Sequence, residues 1–316
     1  MVKLWKIYTL VFKPLKPYSF KLTASAYNFN WWFNGSYLIL PLGSSTISIL
    51  RELNGEVKCT VYSSSSINRG VVEDSIAFHM GFYEDLSDFY TKICSDPLLR
   101  GVPLRLAGMR LRSTDPFNAL LVAICQQNAS FKQGWRMLMN IYDKYCGRVF
   151  VNGLEARILP SPLEIVNAGV EELRGLGVGY RAETIFEASR LLSELNLGEL
   201  SINDFEERLL KIKGIGQYTS RLTLLFSRRL YTKPPIDRWV SRIASETYRV
   251  PVSGVEKFYT NYLGSWAGLG IYFLTIVLDA VPLRKAIERV KTGRIYPEMK
   301  GLTPLTLWML GGGIDT

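Results

Sequence analysis

The sequence predicts an α+β protein in which a β-rich antiparallel-sheet N-terminal domain precedes an all-α domain. Three observations carry that prediction: short β-branched and aromatic runs early in the chain, a switch to helical spacing from Ile76, and helical patterns that continue to about Val290. The strand runs are Tyr37–Leu42 and residues 57–62, bounded by Gly, Ser or Asn, with a polar loop over residues 63–66. Past Ile76, Phe78, Phe82, Leu86 and Phe89 recur every three or four residues, the spacing of one helix face. Asp115 before Pro116 then opens a long helix, because the Asp side chain can cap first-turn N–H groups and proline has none to lose. The longest apolar run, residues 266–278, is too short to cross a bilayer and reads as a buried helix. Gly and Pro between Thr292 and Gly313 give an irregular tail, and no internal repeat is present. The division this implies is a β-rich domain over residues 1–105 and a helical domain over 106–316.

Composition narrows the partners. A chain of 316 residues that is 47% hydrophobic can bury two cores. Lys and Arg number 38 against 28 Asp and Glu, a net charge of +10 that suits a polyanion and equally suits a merely soluble basic protein. Cys59, Cys94, Cys125 and Cys146 stand at least 21 residues apart, so no CxxC pair exists to hold zinc or an iron–sulfur cluster. His79 is the single histidine and reads as structural, which leaves no side-chain metal site. The N-terminal apolar run is broken by Lys13, Pro14 and Lys16 and is no secretion signal. The expectation is a monomeric intracellular protein of cytoplasm or nucleoid, without membrane attachment. Trp31 and Trp32 read as core or interdomain contacts.

The most informative stretch runs from Phe205 to Thr219. A short amphipathic helix carrying Phe205, Leu209 and Leu210 enters Lys213-Gly214-Ile215-Gly216, and a second helix follows with Leu222, Leu224, Leu225 and Phe226. Two glycines one residue apart permit a tight turn with outward N–H groups, and the next helix adds the positive end of its dipole. That arrangement suits a DNA phosphate, with Lys211 and Lys213 supplying charge and Gln217 and Thr219 opening the second helix. It is also compatible with an ordinary helical hairpin whose glycines end a helix.

Ile212-Lys-Gly-Ile-Gly-Gln-Tyr-Thr219, followed by Pro234-Pro-Ile-Asp237-Arg-Trp-Val240, resembles the helix-hairpin-helix DNA glycosylase superfamily, with the motif at about residues 203–230. Asp237 lies 21 residues beyond Gly216, as the family pattern has its catalytic Asp. Lys213 departs from the proline usual there. Leu176-Gly-Val-Gly-Tyr-Arg-Ala182 is similar to a segment of 8-oxoguanine DNA glycosylases, and Ile124-Cys-Gln-Gln-Asn128 to segments of both those enzymes and 3-methyladenine glycosylases. The resemblance covers roughly residues 20 to 290.

The resemblance implies double-stranded DNA containing a damaged base as partner and base excision repair as setting. The nucleotide is flipped out, Asn128 and Tyr180 fill or flank the gap, and Gln127 and Arg181 lie nearby. Asp237 stabilises the oxocarbenium-like state and orients or deprotonates water; the same residue is also a good helix N-cap. Bifunctional relatives carry Lys where this chain has Tyr218, so the expectation is a monofunctional enzyme without lyase activity. Tyr218, Trp239, Trp266 and Tyr272 are candidates for the base pocket, with Phe273 beside them, and each is also compatible with core packing. No cofactor is required, though an alkali-metal ion at the hairpin carbonyls fits the family. The leading expectation is removal of an alkylated purine. An 8-oxoguanine glycosylase and a non-catalytic DNA-binding module are the alternatives; a mismatch-specific enzyme is disfavoured, since those relatives usually hold an iron–sulfur cluster.

Overall fold

The computed structural model describes residues 3–26, 32–195 and 200–310. Strands β1 (Trp5–Phe12), β2 (Tyr37–Leu42), β3 (Thr46–Leu53) and β4 (Glu56–Ser63) form an antiparallel sheet in the order β1-β4-β3-β2. Its register sets Leu38 opposite Leu50, Leu50 opposite Cys59 and Cys59 opposite Leu10. That row is buried on one face. It packs beside helix α1 (Phe20–Ser25) and under Val72, Ile76 and Met80 of α2 (Arg69–Met80). Alternation puts Ile39 and Ile47 on the opposite face.

That second face is covered by an element the sequence reading missed. In place of continued helix, β5 (Gly147–Val151) and β6 (Leu154–Ile158) form a hairpin whose Val149, Val151, Ala156 and Ile158 pack against Ile39 and Ile47. The turn is Asn152-Gly153, with φ of 52° and 77°, the left-handed pair a two-residue hairpin demands.

The periodic run through Phe78 is likewise cut: α2 ends at Gly81, and Phe78 faces solvent while Phe82 joins the sheet core. From Leu86 onward the buried apolar residues belong to the helical core, apart from those of the β5–β6 hairpin. This core is built by α3 (Ser87–Ile93), α4 (Val102–Arg105), α5 (Pro116–Gln126), α6 (Phe131–Tyr145), α7 (Pro162–Leu173), α8 (Arg181–Glu194), α9 (Ile202–Leu210), α10 (Gln217–Arg228), α11 (Arg238–Tyr248), α12 (Val255–Leu263), α13 (Ala267–Val277) and α14 (Leu283–Lys291). Asp115 caps α5 as expected, accepting from Asn118 N at 2.9 Å. Both α5 and α13 are apolar on nearly every side and lie inside the body. None of the described helices is long and apolar enough to cross a membrane.

The two cores are joined by arginines. Arg229 ends α10 in a left-handed conformation and donates to the carbonyls of Phe78 at 2.9 Å and Leu111 at 2.5 Å, while pairing with Glu84 at 3.1 Å. Arg112 donates to the Ala24 and Ala26 carbonyls, both at 3.1 Å, and burial pushes its guanidinium pKa down to about 10. Arg110 reaches the carbonyls of Glu84 and Pro17, each at 3.0 Å. Trp32 touches both the helical core and the hairpin cluster, a contact between the two regions; Trp31 lies outside the described residues. His79 donates from Nδ1 to the Ser75 carbonyl at 2.6 Å, a structural bond within α2.

The tail is less irregular than its composition suggests. Fully buried Arg289 pairs with Asp279 at 2.8 Å, and Asp279 in turn accepts from the backbone N–H of Glu298 at 2.8 Å. The chain then returns to the sheet, where the Trp308 ring meets Phe33 at 5.0 Å.

Candidate active site

The hairpin between α9 and α10 is anchored by buried Ile215, while Lys213, Gly214, Gly216 and Gln217 stay exposed. Gly214 adopts φ +95°, and a β-carbon there would stand 2.3 Å from Thr184 Oγ1, so both conformation and space require glycine. Gly216 caps α10 without a side chain and has open space above it, leaving first-turn N–H groups for an anion.

Asp237 ends the buried Pro234-Pro235 segment and starts α11. Its Oδ1 accepts from Val240 N at 2.7 Å, so capping takes one oxygen of the carboxylate. Burial raises its pKa above the ordinary aspartate value, against the N–H groups at the helix start that lower it.

Asp237 lines a cavity of about 430 Å³, a size typical of small-molecule sites. Tyr218 from α10, Trp239 from α11 and Tyr272 from α13 line the same cavity, so three of the four pocket candidates converge with Asp237. Trp239 is fixed by donating from Nε1 to the Val281 carbonyl at 2.9 Å. Tyr272 is held edge-on to Phe226, centroids 6.1 Å apart. Gln126 and Phe131 close another side, and Lys300, Leu302 and Thr303 of the tail complete the wall.

No family model matches the chain. A probable N-glycosylase/DNA lyase of Methanothermobacter thermautotrophicus is 27% identical over 188 residues, covering 52% of this chain and 60% of that protein. The N-glycosylase/DNA lyase of Saccharomyces cerevisiae is 26% identical, covering 45% of this chain and 43% of that one. The chain thus spans about half the length of the curated relatives it matches. Among solved structures, the 3-methyladenine DNA glycosylase of Archaeoglobus fulgidus superposes with a TM-score of 0.70 at 22% identity, covering 85% of this chain and 97% of that one. The two share a fold. The chain is similar in sequence to DNA glycosylases and shares their fold.

Several superfamily positions are placed differently from expectation. Gln127 does not reach outward: its Nε2 donates to the Gly214 carbonyl at 2.7 Å and to Thr219 Oγ1 at 2.6 Å, bracing the hairpin from α5. Thr219 is buried by the same contact. Arg181 is also buried, donating to the carbonyls of Ile124 at 3.2 Å and Gln127, so it supports the loop from beneath. These three residues brace the hairpin and the loop after α5, because their polar groups are already used. Asn128, with φ 44°, and Tyr180 do project into solvent, and the Arg181 guanidinium lies 4.5 Å from the Tyr180 ring centroid. Trp266 faces away from the cavity: it donates to Asp88 Oδ2 at 2.7 Å and packs on Tyr231. Phe273 is core, stacked on Phe89.

Lys211 and Lys213 border a separate groove behind the hairpin, and Lys211 pairs with Glu207 at 2.8 Å. The cavity has lysines of its own, Lys132 at the start of α6 and Lys300 in the tail. Sequence reasoning missed both, along with Gln126, since each reaches the site through tertiary packing. Among the described residues no three His, Cys, Asp or Glu side chains cluster as metal ligands. The hairpin carbonyls of Ile212, Lys213 and Gly214 each accept a hydrogen bond from within the chain.

Proposed function

We propose that the chain hydrolyses the N-glycosidic bond of a damaged purine in double-stranded DNA and leaves the backbone intact. The observation that carries this reading is the cavity in which Asp237 faces the same space as Tyr218, Trp239 and Tyr272, next to an uncapped helix start on an exposed hairpin. The N–H groups at that helix start, with Lys213 and Gln217, hold a phosphate without reading sequence. The target nucleotide rotates out, and Asn128 and Tyr180 occupy the gap it leaves. In the cavity the base stacks on aromatic faces, which accept a neutral purine and add a cation–π contribution for an alkylated one. As the bond breaks, positive charge develops on the sugar, and the partly desolvated Asp237 carboxylate stabilises it. The raised pKa of Asp237 also suits accepting a proton from the attacking water. One chain supplies hairpin, cavity and carboxylate, so it works as a monomer, inside the cell where the genome is. A cation at the hairpin carbonyls would reinforce phosphate binding and takes no part in bond breaking.

A second reading is favoured by one observation: Lys132 and Lys300 line the cavity, although the motif resemblance puts Tyr218 where bifunctional relatives carry lysine. An amine there could form a Schiff base with the sugar and cut the strand. The relatives from Methanothermobacter and Saccharomyces carry lyase in their names. Incubating the protein with lesion-bearing duplexes, with and without alkali, separates the two. Breaks only after alkali support hydrolysis. Breaks without alkali, with a borohydride-trapped adduct lost in Lys300→Ala or Lys132→Ala, establish the lyase.

A further inference from the structure

We propose that Gln126 reads the flipped base, donating from Nε2 to an exocyclic carbonyl oxygen, so that the cavity selects purines that carry one. The inference rests on the base-removal reading and gives it a substrate class. Several polar groups in the cavity wall are committed: Trp239 Nε1 donates to the Val281 carbonyl, Thr275 Oγ1 to the Ile271 carbonyl, and Asp279 pairs with Arg289. Thr303 Oγ1 shares its hydrogen bond with Thr306. By contrast, Gln126 Nε2 is buried and has no partner among the described residues, although Gln126 lines the cavity. A donor left in that state destabilises the fold, and one carried by a residue that lines a cavity can be completed by what the cavity binds.

Local packing holds it there. Gln126 is the last residue of α5, and its amide lies over Gly134 of α6, where a β-carbon would stand 2.6 Å from Nε2. Any larger residue at position 134 would displace the amide. An amide N–H requires an acceptor. On a purine that is an unprotonated ring nitrogen or an exocyclic oxygen, and the oxygen projects about 1.2 Å beyond the ring to meet a group set back in the wall. Alkylation removes the lone pair of the nitrogen it modifies, whereas deamination and oxidation create new carbonyls. Hypoxanthine therefore offers an acceptor where 3-methyladenine offers an amino group. The same donor adds selectivity against bases that lack the oxygen, because binding them leaves Nε2 unpaired.

The test measures single-turnover release of hypoxanthine and of 3-methyladenine from otherwise identical duplexes, by wild type, Gln126→Met and Gln126→Glu. Wild type should prefer hypoxanthine, and Gln126→Met should lower the preference about tenfold, the effect of one ordinary hydrogen bond. Gln126→Glu keeps the shape, offers acceptors only, and should reverse the preference. A wild-type preference for 3-methyladenine, or an unchanged ratio in both variants, overturns the inference while leaving base removal standing. A second arm follows the quenching of tryptophan fluorescence that is lost in Trp239→Phe as the free bases hypoxanthine and purine are titrated in. Tighter binding of hypoxanthine that vanishes in Gln126→Met supports the contact even for a protein that releases no base. Equal binding of the two by wild type counts against it.

Discussion

Two of the regions of this molecule that bury polar groups treat them in opposite ways. Between the sheet and the helical body, Arg110, Arg112 and Arg229 are sunk among carbonyls that take their N–H groups, with Glu84 answering the charge of Arg229. In the cavity, burial raises the pKa of Asp237, and Gln126 Nε2 lacks any partner among the described residues. Completed polar networks rigidify, whereas incomplete ones mark where something else must arrive. The contrast sets a structural joint against the proposed site.

The largest expected effect comes from breaking the joint. Arg229→Ala removes one partner of a buried pair and strands the carbonyls it served, which should cost about 3–5 kcal/mol in urea unfolding. Base preference among molecules that remain folded should not change; a changed preference would mean that the joint and the site are one system.

Next in size is a change at the site itself. Tyr218→Ala should slow single-turnover base release about tenfold or more by removing one stacking face of the cavity, with DNA affinity held by the hairpin nearly unchanged. An equal loss of binding and release would instead give Tyr218 a place on the DNA surface.

A smaller effect is a pH dependence that belongs to the joint. Burial lowers the pKa of His79 from 6.5 to about 4. On acidification the unfolded chain takes up this proton first, so stability is lost as pH falls from about 6.5 towards 4. His79→Gln should flatten the melting temperature across that window by a few degrees.

The smallest effect sharpens the contrast in the opposite direction. The raised pKa of Asp237 means that ionisation opposes folding, so stability from this group declines as pH rises through its titration. Asp237→Asn keeps an oxygen to cap α11 and removes that opposition. It should melt slightly higher than wild type at neutral pH, with the gain disappearing in acid. A lower melting temperature would make Asp237 a cap and nothing more.

What the sequence disclosed follows from range. Hairpin glycines, the Asp237 cap and the α+β order are local, written within a few residues of one another, and all were legible. Asn152-Gly153 between alternating apolar residues was legible too, yet it was overridden by the helical patterns around it. Gln126 and Gln127 are neighbours, and the end of α5 turns one towards the cavity and the other into the hairpin; no periodicity distinguishes them. Tyr272 and Trp266 lie in one apolar run, and only packing around α13 decides which faces the site. Buried Arg110, Arg112 and Arg289 were invisible, because their acceptors are backbone carbonyls that any sequence supplies.

The central claim is that Asp237 performs base removal and does not merely cap a helix. The most direct measurement compares wild type with Asp237→Asn for binding and for single-turnover release on one lesion-bearing duplex that wild type cleaves. The account predicts binding within a few-fold of wild type and release lower by about a hundredfold or more. Release that persists in Asp237→Asn at the wild-type rate would contradict it.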